Sequence, residues 1–109
     1  MTKLDLPEPY RAELLALLRT HVPAAEVWAY GSRVRGRAHA TSDLDLVVRN
    51  PVDSSQAQTT LGRLREALSE SGLPILVDVL DWARIPESFR TEIARSHVVL
   101  HTPARETLP

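Results

Sequence analysis

Two short apolar stretches of this chain are joined by Gly31-Ser32, ten intervening residues and then Asp43-Leu44-Asp45. Glu26 to Tyr30 is short, aromatic and β-branched, bounded by Pro23 and Gly31, and predicts a strand. Leu44 to Arg49 predicts a second strand, whose alternation sends Leu44, Leu46 and Val48 to one face and Asp43, Asp45 and Val47 to the other. One strand therefore ends in a Gly-Ser turn, and the next opens with two carboxylates on a single face.

The remaining pattern builds a domain around these strands. Tyr10, Leu14, Leu17 and Leu18 recur at helical spacing and predict a helix from Pro7 to Thr20, with Asp5 followed by Glu8 resembling a capping arrangement. Ser54 or Ser55 to about Ser71 predicts a second helix with Leu61, Leu64 and Leu68 as its stripe and Gly72 as its stop. Ile75 to Leu80 is nearly continuous apolar sequence broken by Asp78, the composition of a buried central strand with one exception. Pro86 to Arg95 predicts a short helix with Phe89 and Ile93 inward, and His97 to His101 a last strand before a polar tail. The expected class is α/β (α+β), a mixed central sheet of about four strands flanked by helices.

At 109 residues the chain is expected to form one domain, residues 1–109, with a single core and no separate substrate domain. Thirteen Lys+Arg against fourteen Asp+Glu leave a formal net charge of -1, so no global positive field recruits nucleic acid or anionic lipid. Cysteine is absent, which excludes disulfides, thiol nucleophiles and thiolate metal sites. No apolar run approaches membrane-spanning length and the N-terminus carries no signal core, so a cytoplasmic location without membrane association is expected.

If the strands are neighbours, Asp78 projects to the same face as Asp43 and Asp45, beside a Gly-Ser turn whose backbone amides are free. Two carboxylates about 5 Å apart repel by roughly 3 kcal/mol at an effective dielectric near 20, and a third adds more. A divalent Mg²⁺ or Mn²⁺ ion offsets this directly, since hard cations take carboxylate oxygens and complete their shells with water and phosphates. Protonation of one Asp is the alternative.

Tyr30-Gly31-Ser32-Arg33-Val34-Arg35-Gly36 with Ser42-Asp43-Leu44-Asp45-Leu46 resembles the signature of the minimal nucleotidyltransferases of the DNA polymerase beta superfamily. Pro74 to Trp82, with Asp78, is similar to their third-carboxylate strand, and the resemblance spans Leu6 to Leu100. It implies a small nucleotidyltransferase fold in which Asp43 and Asp45 hold two divalent ions that bridge a nucleoside triphosphate. Asp78 would help activate the attacking hydroxyl, and Gly31 with Ser32 would hold the phosphates. One departure is Val34, where many relatives carry a smaller Ala. The resemblance also implies a setting: stand-alone members of this size are commonly antitoxins paired with a HEPN ribonuclease toxin. Some transfer AMP from ATP to a tyrosine hydroxyl of that toxin. Within such a pairing a homodimer or a hetero-oligomer with the toxin is open.

Arg33, Arg35 and Arg37 follow the turn; clustered arginines are mostly solvated or paired with acids, and Arg33 is the candidate for triphosphate oxygens. His21, His39, His97 and His101 share no metal-ligand spacing on one helix and receive no role. Trp28, Trp82 and Tyr30 are expected to pack in the core, with Tyr30 the best outside candidate for base stacking, and Asp81 is expected to cap the segment that follows it and Asp53 a helix start. The function classes in play are a catalytic antitoxin that modifies its partner and a non-catalytic one that neutralises by binding alone. A nucleotidyltransferase acting on a small molecule or an RNA end would need an acceptor pocket. Three mutually repelling carboxylates favour catalysis, because a pure binder has no reason to hold them together.

Overall fold

Alternating apolar residues on two β-branched stretches pair into the centre of the sheet. In a computed structural model, which describes residues 4–103, β1 (Glu26–Tyr30) runs antiparallel to β2 (Leu44–Arg49) with Val27 opposite Val48 and Ala29 opposite Leu46. Strand β3 (Val77–Asp81) lies parallel to β2 and β4 (Val98–His101) antiparallel to β1, giving a mixed four-stranded sheet in the order β3-β2-β1-β4. The expected fold class is therefore the observed one. β3, however, is an edge strand and not a central one. The residues expected to open it, Ile75 and Leu76, stay outside the ladder: Ile75 packs half-buried against the core, while Leu76 is 74% exposed. Arg65 donates to the Val79 carbonyl through Nε and Nη2 (3.2 and 2.6 Å), which covers part of that edge.

Helix α1 (Glu8–His21) buries Leu14 and Leu18 on the sheet. The cap expected from Asp5 and Glu8 does not form: Pro7 flanks the helix start without a side-chain cap, and the Asp5 amide instead donates to the Arg33 carbonyl at 2.7 Å. After β1 a single turn of helix, α2 (Ser32–Arg35), closes on Gly36. Helix α3 (Leu61–Ser69) begins later than Ser54 or Ser55. Side chains there hold the backbone in turns: Asn50 Oδ1 accepts from the amides of Val52 and Asp53, and Asp53 accepts from Ser55. These local bonds compete with helix formation. Gly72 lies beyond the end of α3 without a left-handed backbone, and its amide donates to Glu13 Oε1 at 2.9 Å. A 3-10 turn over Trp82–Arg84 follows β3, then α4 (Glu87–Arg95). The polar tail expected after His101 lies largely outside the described residues.

The two sheet faces differ. One is covered by α1 and α3, where Leu14, Leu18, Leu61, Leu64 and Leu68 meet Val27, Ala29, Leu44, Leu46, Val48 and Val79. The other is covered only in part, by the 3-10 turn and α4, where Trp82 and Ile93 meet Tyr30 and Val47 with Phe89 and Leu80 at the margin. Val34 belongs to the first cluster, so the methyls it adds over an Ala are packed and not exposed. Among the described residues no helix is long and apolar enough to cross a membrane.

Candidate active site

The partly covered face is organised in rows across the strands. Glu26 lies opposite Arg49 and Trp28 opposite Val47, which neighbours Leu80; Tyr30 lies opposite Asp45, which neighbours Asp78. Partners in a parallel ladder point to the same face, and adjacent strands lie about 4.8 Å apart, so Asp45 and Asp78 stand side by side. Asp43 lies just ahead of the strand, two residues before Asp45, is exposed, and stands close enough to act on the Asp45 carboxyl.

The charges act on one another. Burial first, then Asp78 and Asp43, raise the Asp45 carboxyl above its ordinary 3.8. Burial, then Asp45 and Asp78, push the Tyr30 phenol well above its ordinary 10.0, so that it stays protonated at neutral pH. Asp45 thus interacts with both other carboxylates, and all three donors are hard oxygens on a face open to water. That chemistry fits a divalent cation, which relieves the repulsion. Among the described residues no three His, Asp or Glu side chains are gathered tightly enough to enclose one ion. The expectation of three carboxylates meeting at one spot is corrected to a row of neighbours. This still suits Mg²⁺, held by one or two carboxylates with water and substrate phosphates completing its shell.

The turn beside this row is glycine-dependent. Gly31 has φ 84 and ψ -154, a combination that only glycine adopts readily, and a Cβ built there would run into the Asp45 carboxylate oxygen. The backbone therefore passes directly against Asp45. Ser32 and Arg33 open α2, and among the described residues their amides carry no intramolecular hydrogen bond.

A family model described as Nucleotidyltransferase domain matches residues 11–101. The chain belongs to this nucleotidyltransferase family. It is 43% identical over 100 residues to a Haemophilus influenzae protein named "Probable protein adenylyltransferase MntA", covering 90% of this chain and 84% of that protein. A crystal structure of a toxin-antitoxin with AMP-PNP superposes with a TM-score of 0.68 at 21% identity, over 84% of this chain and 73% of its own. A toxin-antitoxin MntA-HepT crystal structure superposes with a TM-score of 0.63 at 17% identity, over 88% and 73%. At these identities the two structures establish a common fold.

In this nucleotidyltransferase Arg33 does not face the row of carboxylates as a free cation. It is 4% exposed, and its guanidinium donates to the carbonyls of Asp5, His39, Ala40 and Ser42. The expectation that it reaches triphosphate oxygens is corrected on that ground, since its donors are already engaged. Arg35 and Arg37 are exposed. Tyr30 is buried and meets Phe89 edge-on at 5.7 Å, which leaves it a wall of the site and not an open stacking platform. Asp81 caps the 3-10 turn through the Ala83 amide, as expected.

Sequence reasoning missed the far row. Arg49 pairs with Glu26 at 2.9 Å and lies 4.8 Å from the Trp28 ring and 5.1 Å from that of Trp82, while His97 stacks on Trp28 at 3.9 Å. The opposite charges at the outer ends of two adjacent strands were the available signal. This cluster braces the open face at the end away from the carboxylates.

Proposed function

We propose that this nucleotidyltransferase moves AMP from ATP onto a hydroxyl, that of a tyrosine, on a HEPN-type toxin, and serves as the antitoxin of that pair. The observation carrying the reading is the row Tyr30–Asp45–Asp78 beside Gly31, in which Asp45 is perturbed by both Asp78 and Asp43. The 43% identity to a protein named as an adenylyltransferase supports AMP as the transferred group, and the like fold of a toxin-antitoxin holding AMP-PNP supports ATP as donor.

The chemistry is an in-line displacement. The acceptor oxygen forms a bond to the α-phosphorus, the bond from that phosphorus to the bridging oxygen breaks, and pyrophosphate leaves. Asp43 and Asp45 would hold the divalent ions, Mg²⁺ or Mn²⁺, which when bound would supply positive charge to the attacking and leaving oxygens. Asp78 lies on the open edge of the row, where an acceptor approaches, and accepts the hydroxyl proton. The Ser32 and Arg33 main-chain amides, left without an intramolecular partner among the described residues, are the donors available to phosphate oxygens, and Gly31 lets the turn lie against Asp45. Tyr30, kept neutral, walls the site without adding charge.

The deciding experiment incubates the chain with α-labelled ATP, Mg²⁺ and the HEPN protein encoded beside it. Label is expected on the partner, and lost with Asp43→Asn, Asp45→Asn or Asp78→Asn. Tight binding without label would instead make the chain an antitoxin that acts by occlusion. Wild-type turnover by all three variants would remove the mechanism.

A further inference from the structure

Arg33 presents a problem of its own: a chain rarely buries a cation without a carboxylate, and among the described residues none pairs with it. Backbone dipoles take the place of the counter-ion. Nη1 donates to the Asp5 carbonyl at 2.8 Å; Nε and Nη2 both donate to the Ser42 carbonyl, at 3.1 and 2.9 Å; and Nη2 also reaches the carbonyls of Ala40 at 3.2 Å and His39 at 3.3 Å. One side chain thus grips four carbonyls on two stretches far apart in sequence. Only a planar fork of several N–H groups can do this; an ammonium on a flexible stem cannot.

What the fork grips is the approach to the first carboxylate. Residues 39–42 close a turn in which the Ser42 amide donates to the His39 carbonyl at 3.0 Å and the His39 amide donates to Ser42 Oγ at 2.7 Å. The Ser42 carbonyl, doubly bound by Arg33, belongs to the peptide plane that leads into Asp43. On the far side Leu44 is fixed by its amide, which donates a hydrogen bond to the Leu76 carbonyl at 2.9 Å. Asp43 precedes the ladder and is exposed, so without Arg33 little besides its neighbours would fix where its carboxylate stands.

We infer that Arg33 is a positioning residue: through the Ser42 carbonyl it holds Asp43 in register with Asp45, so that the two act on the same cation. The inference rests on the proposed function, and it replaces direct phosphate binding as the role of this arginine. Removing a group that orients a metal ligand typically costs about 10–100-fold in metal affinity or activity, which sets the scale of the effect.

The test uses Arg33→Lys and Ser42→Ala in the full chain, with Mn²⁺ binding followed by water-proton relaxation on the protein alone and with a non-hydrolysable ATP analogue. Arg33→Lys is expected to weaken Mn²⁺ binding by about tenfold or more and to lower kcat comparably, with KM for ATP nearly unchanged. Hydrogen exchange at residues 39–43 should quicken in step. Ser42→Ala keeps the arginine and loses only the exposed bond that closes the turn, so it is expected to fold and to show a smaller loss of the same kind. It decides the matter if Arg33→Lys does not fold. Wild-type Mn²⁺ affinity in Arg33→Lys, or in Ser42→Ala where Arg33→Lys does not fold, even with a lowered Tm, would reduce Arg33 to a structural fastening and overturn the inference. A raised KM for ATP at unchanged Mn²⁺ affinity would overturn it too, in favour of a phosphate contact. Failure of the underlying reading looks different: the wild-type chain itself would bind no Mn²⁺, or Asp45→Asn would bind it as well as wild type.

Discussion

Gly31→Ala tests most directly how the turn and the carboxylates depend on each other. The substitution acts twice. It places an L side chain at φ 84 and ψ -154, which costs on the order of 1–3 kcal/mol, offset in part by the smaller entropy of the unfolded chain, worth about 0.4–1 kcal/mol. It also drives a methyl into the Asp45 carboxylate, whose Cγ would lie 3.3 Å from the new carbon. Either the turn opens or Asp45 swings away, and a misplacement of about 1 Å at a reacting centre can cost about 10²-fold. Gly36→Ala is the internal control: Gly36 also has positive φ, at 72, but a Cβ there meets nothing within 4 Å. The expected result is a Tm lowered by about 5–10 °C in Gly31→Ala, with transfer to the partner down by about 10²-fold. Gly36→Ala should lose about 1–2 kcal/mol of stability and keep its rate per folded molecule. Thermal unfolding and single-turnover labelling with α-labelled ATP read the two effects separately. If Gly31→Ala transferred AMP at the rate of Gly36→Ala, the close approach of the turn to Asp45 would have no bearing on catalysis.

Two further outcomes follow from the charges on the sheet. Because the folded Asp45 pKa is raised, the contribution of this carboxyl to the stability of the metal-free protein is fully present below its ordinary 3.8 and is lost as pH rises through the folded pKa. Denaturation of wild type and Asp45→Asn from about pH 4 to 7 should show the variant gaining relative stability with pH, and parallel curves would contradict the coupling. Asp81→Ala should do the opposite of the Asp78 variant. Asp81 is 4% exposed and accepts from the Gln58 amide at 2.9 Å and the Ala83 amide at 3.2 Å, so its loss should cost about 1–3 kcal/mol in urea unfolding. The labelling rate per folded molecule should hold, and a lost rate with unchanged stability would place Asp81 in the site instead.

The strands, their faces and the carboxylates were legible because alternation is local: Leu44, Leu46 and Val48 separate from Asp45 and Val47 by period alone. Three other features were not legible in the pattern. The edge position of β3 was hidden, because Ile75 and Leu76 read as buried sequence while in the structure they lead into the strand. The start of α3 was misplaced because Asn50 and Asp53 bind nearby amides, and a polar loop and a helix start share the same residue types. Arg33 was legible as important but not in its role. An arginine directly after a Gly-Ser turn suggests phosphate, and only the fold brings the carbonyls of Asp5 and of residues 39–42 together to engage it.

The edge position of β3 bears on function as well as on fold. In the middle of the sheet Asp78 would have a strand on each side, and an acceptor could reach it only from above. At the edge Asp78 has Asp45 on one side and is exposed, so on the proposed function a protein-borne hydroxyl would be free to approach along the sheet, with the nucleotide on the side of Gly31. On the proposed function the row would run in one direction, from a turn for phosphates, through the carboxylate perturbed by both neighbours, to a carboxylate open to the acceptor. A large partner suits that geometry better than a small molecule, since the face toward Asp78 is a margin and not a cavity.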